Sequence, residues 1–191
     1  MIKSTKGNLL EAKVDALVNT VNCVGVMGKG IALQFKQAFP DNYIEYENAC
    51  KKGQVRIGRM FIYKRNDMFY PKYIISFPTK RHWKAKSRLE DIEMELEDLT
   101  RQIKDLNIKS IAVPPLGSGL GGLDWKDVKV RIVKAFEKLP DTEVLLYEPK
   151  GAPKSDEIPI STSRPNMTKR PSLIDPSSGT LPKSRLPPQP S

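Results

Sequence analysis

Cysteine and histidine are almost missing from this chain. Cys23 and Cys50 are the two cysteines, and they lie in no Cys-x-x-Cys pair. A disulfide framework is excluded, and so is a cysteine-built zinc site. His82 is the single histidine, a poor basis for a Ser-His-Asp triad or a zinc site. Long apolar runs are absent as well. No stretch approaches the ~20 residues of a membrane span, and Met1-Ile2-Lys3-Ser4-Thr5-Lys6 lacks the apolar core of a signal peptide. A cytoplasmic protein without membrane contact is expected.

Acidic residues are in deficit. Against 32 Lys+Arg stand 22 Asp+Glu, a net charge of +10 in 191 residues. That balance favours polyanionic partners, although solubility alone would also account for it. Aromatics vanish after residue 150. Residues 151–191 hold nine of the 16 prolines, eight serines and no Phe, Trp or Tyr. Such a segment cannot bury enough apolar surface to offset its ordering entropy. Two regions are therefore expected: a folded body at 1–150, and a disordered Pro/Ser-rich tail or linker at 151–191. The tail carries six basic and three acidic residues, so the body carries 26 and 19, an excess of +7.

The body alternates strand and helix signals. Strands are expected at Ile2-Lys3-Ser4, Val14–Asn19, Arg59–Lys64, Lys72–Phe77, Lys109–Pro114 and Glu143–Tyr147. The third and fourth should form a hairpin about Asn66-Asp67. Leu89, Ile92, Leu96, Leu99, Ile103 and Leu106 make one apolar helical stripe. Ser87 and Glu90 before it read as a capping box. Another helix should start near Asp124, with Val128, Ile132, Phe136 and Leu139 inward. Two more should cover Gly28 to Pro40 and Asp41 to Lys52. This order implies an α/β fold with a mixed sheet covered on both faces.

Two glycine-rich loops carry the chemistry. Each follows a strand and precedes a helix: Asn19-Thr20-Val21-Asn22-Cys23-Val24-Gly25-Val26-Met27-Gly28-Lys29-Gly30-Ile31-Ala32, and Pro114-Pro115-Leu116-Gly117-Ser118-Gly119-Leu120-Gly121-Gly122-Leu123-Asp124. Glycine lets backbone approach a ligand closely, and a helix N-terminus presents unpaired N–H groups to an anion. Neither loop has Walker A or dinucleotide-fold spacing. Tight turns explain one such loop as well as phosphate binding does. Two at the ends of different strands suggest one cleft that holds a diphosphate.

These loops resemble the two ligand loops of a macrodomain. Asn22 to Ala32 together with Thr79-Lys80 are most similar to DarG-type macrodomains. The resemblance covers residues 1 to about 149. It implies a three-layer α/β/α sandwich around a mixed six-stranded sheet. ADP-ribose is the implied ligand, with no metal and no cofactor. The implied activity is a DNA ADP-ribosyl glycohydrolase, which frees thymidine in single-stranded DNA of the ADP-ribose attached by a DarT-type toxin. A monomer is expected. The alternatives are a non-catalytic ADP-ribose reader, a hydrolase of another ADP-ribose ester such as O-acetyl-ADP-ribose, and a plain basic nucleic-acid module.

The same resemblance assigns residues. Asn8 and Leu9 would meet adenine, and Tyr147 would pack on it. Asn19, Thr20, Val21 and Asn22 would line the distal ribose. Met27, Gly28, Gly30 and Ile31 would wrap the diphosphate from one side, and Gly117, Ser118, Gly119, Leu120 and Gly121 from the other. Thr79 and Lys80 close a strand at the cleft. Lys80 and Asn22 are the implied catalytic residues, with the Lys80 pKa lowered by burial or by Arg81 and Lys84. The human terminal ADP-ribose glycohydrolase has a lysine at the Lys80 position and an aspartate where this chain has Gly121, so no carboxylate pair is expected here. Arg81, His82, Trp83 and Lys84 would contact DNA through charge and stacking, with Arg56, Arg59, Lys64 and Arg65 as an extension. Cys23 reads as a small loop filler.

Overall fold

The computed structural model describes residues 1–66 and 69–149. The tail expectation for 151–191 and Asp67 of the hairpin turn lie outside them. Six strands form one sheet: β1 (Ile2–Thr5), β2 (Ala16–Asn22), β3 (Phe61–Lys64), β4 (Tyr73–Lys80), β5 (Ser110–Val113) and β6 (Glu143–Tyr147), in the order β1-β6-β5-β2-β4-β3. All neighbours pair parallel except β3 with β4, the antiparallel hairpin foreseen from sequence. Four helices cover it: α1 (Gly30–Ala38), α2 (Pro40–Lys51), α3 (Leu89–Asp105) and α4 (Trp125–Phe136).

Strand alternation sorts the layers. Ala16, Val18, Ile75, Phe77, Ile111, Val113, Val144 and Leu146 pack with Ile92, Leu96, Leu99 and Ile103 of α3 and Val128, Ile132 and Phe136 of α4. The intervening Leu17, Ile74 and Ala112 face the other way, onto Phe35 of α1. Beside them Val21 and Met27 pack on Tyr46 and Ala49 of α2. This is the three-layer α/β/α architecture, and the period-2 pattern of strands buried on both faces produces it.

Parallel pairing brings the C-terminal ends of β1, β2, β4, β5 and β6 to one edge of the sheet. After β2 the chain turns to α1 on one face; after the adjacent β5 it turns to α4 on the other. A crevice opens where neighbouring connections part in this way.

The expected capping box does not form. Helix α3 begins at Leu89, and its N-cap residue Arg88 makes no side-chain cap bond. Ser87 is buried and works elsewhere: its N–H donates to the Gly121 carbonyl at 3.1 Å. Asp124 does cap α4, accepting from the Lys126 N–H at 2.7 Å.

Candidate functional site

A cleft of about 1290 Å³ lies over that edge of the sheet. Its first wall starts on β2. The strand runs three residues further than the sequence suggested, so Thr20, Val21 and Asn22 belong to it, with a register shift between Val21 and Asn22. Bulges of this kind re-aim side chains at the end of a strand. Asn22 Oδ1 accepts from the N–H groups of Val24 (3.0 Å) and Val26 (3.2 Å). Its Nδ2 donates to the Val26 carbonyl at 2.6 Å. The buried Tyr46 hydroxyl donates to the Asn22 carbonyl at 2.6 Å. Asn22 lines the cleft, and its amide is committed to shaping the 22–26 loop.

The loop then delivers α1. Its N-cap, Lys29, makes no side-chain cap bond, so first-turn N–H groups stay available toward the cleft. Gly28, Lys29, Gly30 and Ile31 line it, and Gly30 takes φ +59°, a conformation that glycine favours. The second loop faces them: Gly117, Gly119, Leu120 and Gly121 line the opposite wall, and a Leu120 methyl lies 3.7 Å from where a Gly30 Cβ would be. Two backbone-rich loops and one open helix N-terminus make a polar slot that suits a diphosphate.

Gly121 is fixed by its neighbours. A Cβ there would fall 2.3 Å from the Gly117 carbonyl oxygen and 2.3 Å from Ser87 Oγ. An aspartate at this position would have no room, so the missing carboxylate follows from packing. Ser87, misread as a cap, is the spacer under this loop.

Lys80 stands at the end of β4, paired with Asn22 in register. Its Nζ donates to the Leu120 carbonyl at 2.5 Å, and its own carbonyl accepts from the Cys23 N–H at 3.1 Å. One residue thus ties both glycine loops together. Burial lowers its pKa below the ordinary lysine value. The expectation that Arg81 and Lys84 would do this is not met. Arg81 pairs with the buried Asp91 of α3 at 2.7 Å, and the Lys84 ammonium sits 4.9 Å from the Trp83 ring centroid. Thr79, beside Lys80, is buried with its hydroxyl donating to the Val21 carbonyl at 3.4 Å.

The far end of the cleft is formed by Gly7, Asn8, Leu9 and Tyr147, because β1 and β6 pair Thr5 with Tyr147. Asn8 caps a 3₁₀ turn, Leu9–Glu11: its Oδ1 accepts from the Leu10 N–H at 3.1 Å, and its Nδ2 donates to Glu11. Leu9 is buried among apolar neighbours. Tyr147 is half-buried, and burial raises its pKa.

Three expected ligand residues do not line the cleft. Asn19 is fully buried in mid-strand, where its Nδ2 meets the Met27 sulfur at 3.7 Å. Met27 packs in the core against Val21, Tyr46 and Ala49. Ser118 turns its hydroxyl to the Leu116 carbonyl and its N–H to the Pro115 carbonyl. In each case an internal partner draws the side chain away from the cleft. Lining residues that were missed include Lys29, Gln34, Gln37 and Lys86. Gln34 and Gln37 flank the buried Phe35 on the exposed face of α1, a helical spacing that was readable in principle.

At the Lys80 end, Trp83 and Lys84 line the cleft, whereas Arg81 and His82 lie outside its lining. His82 stacks on Trp83 with ring centroids 5.5 Å apart, and its Nδ1 accepts from the Lys84 N–H. Trp83 stays 49% exposed, a free aromatic surface beside Lys80. Cys23 is half-buried, and burial pushes its thiol up to about 11, which removes it as a nucleophile near neutral pH. No helix among the described residues is long and apolar enough to cross a membrane.

Comparison with known proteins agrees with this geometry. A DNA ADP-ribosyl glycohydrolase of Thermus aquaticus is 55% identical over 168 residues, which are 88% of this chain and 47% of that protein. Its counterpart from Mycobacterium tuberculosis is 55% identical over 157 residues, 82% of this chain and 45% of that protein. The chain therefore spans about half the length of these curated relatives. The macrodomain of Mycobacterium tuberculosis DarG superposes with a TM-score of 0.78 at 57% identity, covering 78% of this chain and 99% of that one. The family described as Macro domain matches residues 18–132, the stretch that contains both glycine loops and Lys80, and the chain belongs to that family.

Proposed function

We propose that this chain binds ADP-ribose in the cleft and removes it from thymidine in single-stranded DNA, as a DNA ADP-ribosyl glycohydrolase that reverses the modification made by a DarT-type toxin. Support comes from the relatives, which bear that activity in their names. The observation that carries the reading is Lys80: a partly buried amine with lowered pKa, held between two diphosphate-sized glycine loops. Adenine would lie at the Asn8–Tyr147 end and the distal ribose near Thr20, Asn22 and Lys80.

Chemistry without a carboxylate pair follows from an amine at this place. Nζ of neutral Lys80 bonds to the anomeric carbon as the carbon–base bond breaks, and the proton released by the amine goes to the departing base. Water then adds at the same carbon, the carbon–Nζ bond breaks, and the amine is regenerated with free ADP-ribose. Asn22 acts by positioning the loop that borders the ribose.

The test uses a thymidine-ADP-ribosylated oligonucleotide followed by mass. The native chain should remove ADP-ribose, with a rate that rises with pH to a midpoint below 10.5, the ordinary lysine value. Lys80→Ala should lose at least ~100-fold in kcat, the scale of a lost catalytic group, yet still bind ADP-ribose. Binding with no turnover by the native chain would instead make it a reader.

A further inference from the structure

Away from the cleft lies a second cavity of about 560 Å³, with Arg56, Arg59 and Arg101 among its lining residues and Met60, Ile62 and Met94 as its apolar part. Its place is set by one face of α3. Asp91, Glu95 and Asp98 follow at spacings of four and three, and all three are buried. Asp91 holds Arg81. One turn on, Glu95 Oε1 accepts from the Gly58 N–H at 2.7 Å. Asp98 Oδ2 accepts from the Met60 N–H at 3.0 Å, and its other oxygen pairs with Arg101. The acidic row thus anchors the 56–60 turn in line with Arg81.

This turn also adjoins the cleft. The backbone amide of Ile57 lies against the Cys23 sulfur, and Cys23 is the residue whose N–H meets the Lys80 carbonyl. Cations therefore continue from the Lys80 end of the cleft through Arg81 to Arg56 and Arg59. Of the three carboxyls, Asp91 and Asp98 are each matched by one arginine. Burial raises Glu95 to about 8, so it adds little countercharge at neutral pH. Among the described residues no acidic side chain pairs with Arg56 or Arg59, whose mutual contact is through backbone.

We propose that this arginine-lined cavity is a second nucleic-acid contact, which holds backbone phosphates of the strand whose modified base occupies the cleft, with a neighbouring base against Met94 and Met60. The inference rests on the glycohydrolase reading for the identity of the strand. Guanidinium groups match phosphate geometry, and the methionine floor accepts any base face without reading sequence.

The experiment compares the native chain with Arg56→Ala/Arg59→Ala, and with Lys126→Ala/Lys134→Ala on exposed α4 as the equal-charge control. Binding of an unmodified fluorescent single-stranded oligonucleotide is measured against salt. Turnover is measured on ADP-ribosylated oligonucleotide and on ADP-ribosylated thymidine nucleoside. The arginine variant should weaken oligonucleotide binding about tenfold and flatten the logarithmic salt slope by about 1.4, two phosphates at about 0.7 each. Its kcat/KM should fall on the oligonucleotide through KM and hold on the nucleoside. An unchanged slope, equal loss on both substrates, or the same loss in the α4 control would overturn the proposal. So would competition at this cavity by a poly-glutamate peptide while oligonucleotide binding ignores the double variant. Absence of turnover in the native chain, with the arginine-dependent slope intact, would sink the glycohydrolase reading and leave the phosphate contact standing.

Discussion

Gly121 and Gly119 sit two residues apart in one loop and have opposite surroundings. A Cβ on Gly119 meets nothing within 4 Å, whereas one on Gly121 strikes the Gly117 carbonyl and Ser87. Gly121→Ala should destabilise the protein by about 1–3 kcal/mol, the scale of overpacking, and deform the cleft wall. Gly119→Ala should keep its denaturation midpoint. Urea unfolding of both variants with and without ADP-ribose checks this. At this scale the sequence was legible where backbone chemistry decided the outcome: glycines, the lysine at a strand end, the Asp124 cap. It misled where a side chain had two suitors. Ser87 looked like a cap and serves the second glycine loop. Asn19 and Met27 looked like ligand residues and serve the core. Nothing in local spacing shows which partner wins, because the competitors come from 8 to 34 positions away.

Helix α3 shows how one element supports two jobs. Its apolar stripe, read directly from period 3.6, fills the core, and its acidic row fastens Arg81 and the 56–60 turn. The row was invisible in sequence because buried acids resemble a solvated face until their backbone donors are known. Glu95 carries a cost. Between its ordinary 4.5 and about 8 the folded protein keeps a proton that the unfolded chain has lost, so stability falls as pH rises across that window. Glu95→Gln keeps an acceptor for Gly58 and should flatten this dependence. The variant should gain stability relative to the native chain by up to about 4 kcal/mol at pH 8. Denaturant midpoints at pH 5 and pH 8 measure it.

Across the whole molecule, the sheet is bound at its entry edge by Asp15. Its Oδ2 accepts from the N–H groups of Lys109 (3.0 Å) and Ser110 (3.1 Å), and its Oδ1 pairs with Lys72 at 2.9 Å. Its carbonyl accepts from Lys72 and Tyr73. Three strands, β2, β4 and β5, are thereby started in register from one residue. Burial works to raise its pKa, and Lys72 with the two backbone amides outweighs it, so the carboxyl ends below its ordinary 3.8. That stability is present above pH 3.8 and is lost as pH falls through the lowered value. Asp15→Ala should cost about 1–3 kcal/mol at pH 7, and the gap to the native chain should narrow in acid unfolding. The layers and the mixed sheet were legible because strands buried on both faces leave few arrangements, whereas the strand order was not read from the sequence. The register was not, because it depends on a clamp between residues 94 and 95 positions apart.

Under the proposed reaction, the Lys80–Leu120 bond would make the amine a sensor of its own substrate. A carbonyl acceptor favours the ammonium, and among the described residues Leu120 supplies the acceptor that Nζ has. A ligand that wedged the glycine walls apart would withdraw it. In the proposed reaction the proton would then leave more readily as an anomeric carbon arrived, and the bond to Leu120 would blunt the amine in the absence of ligand.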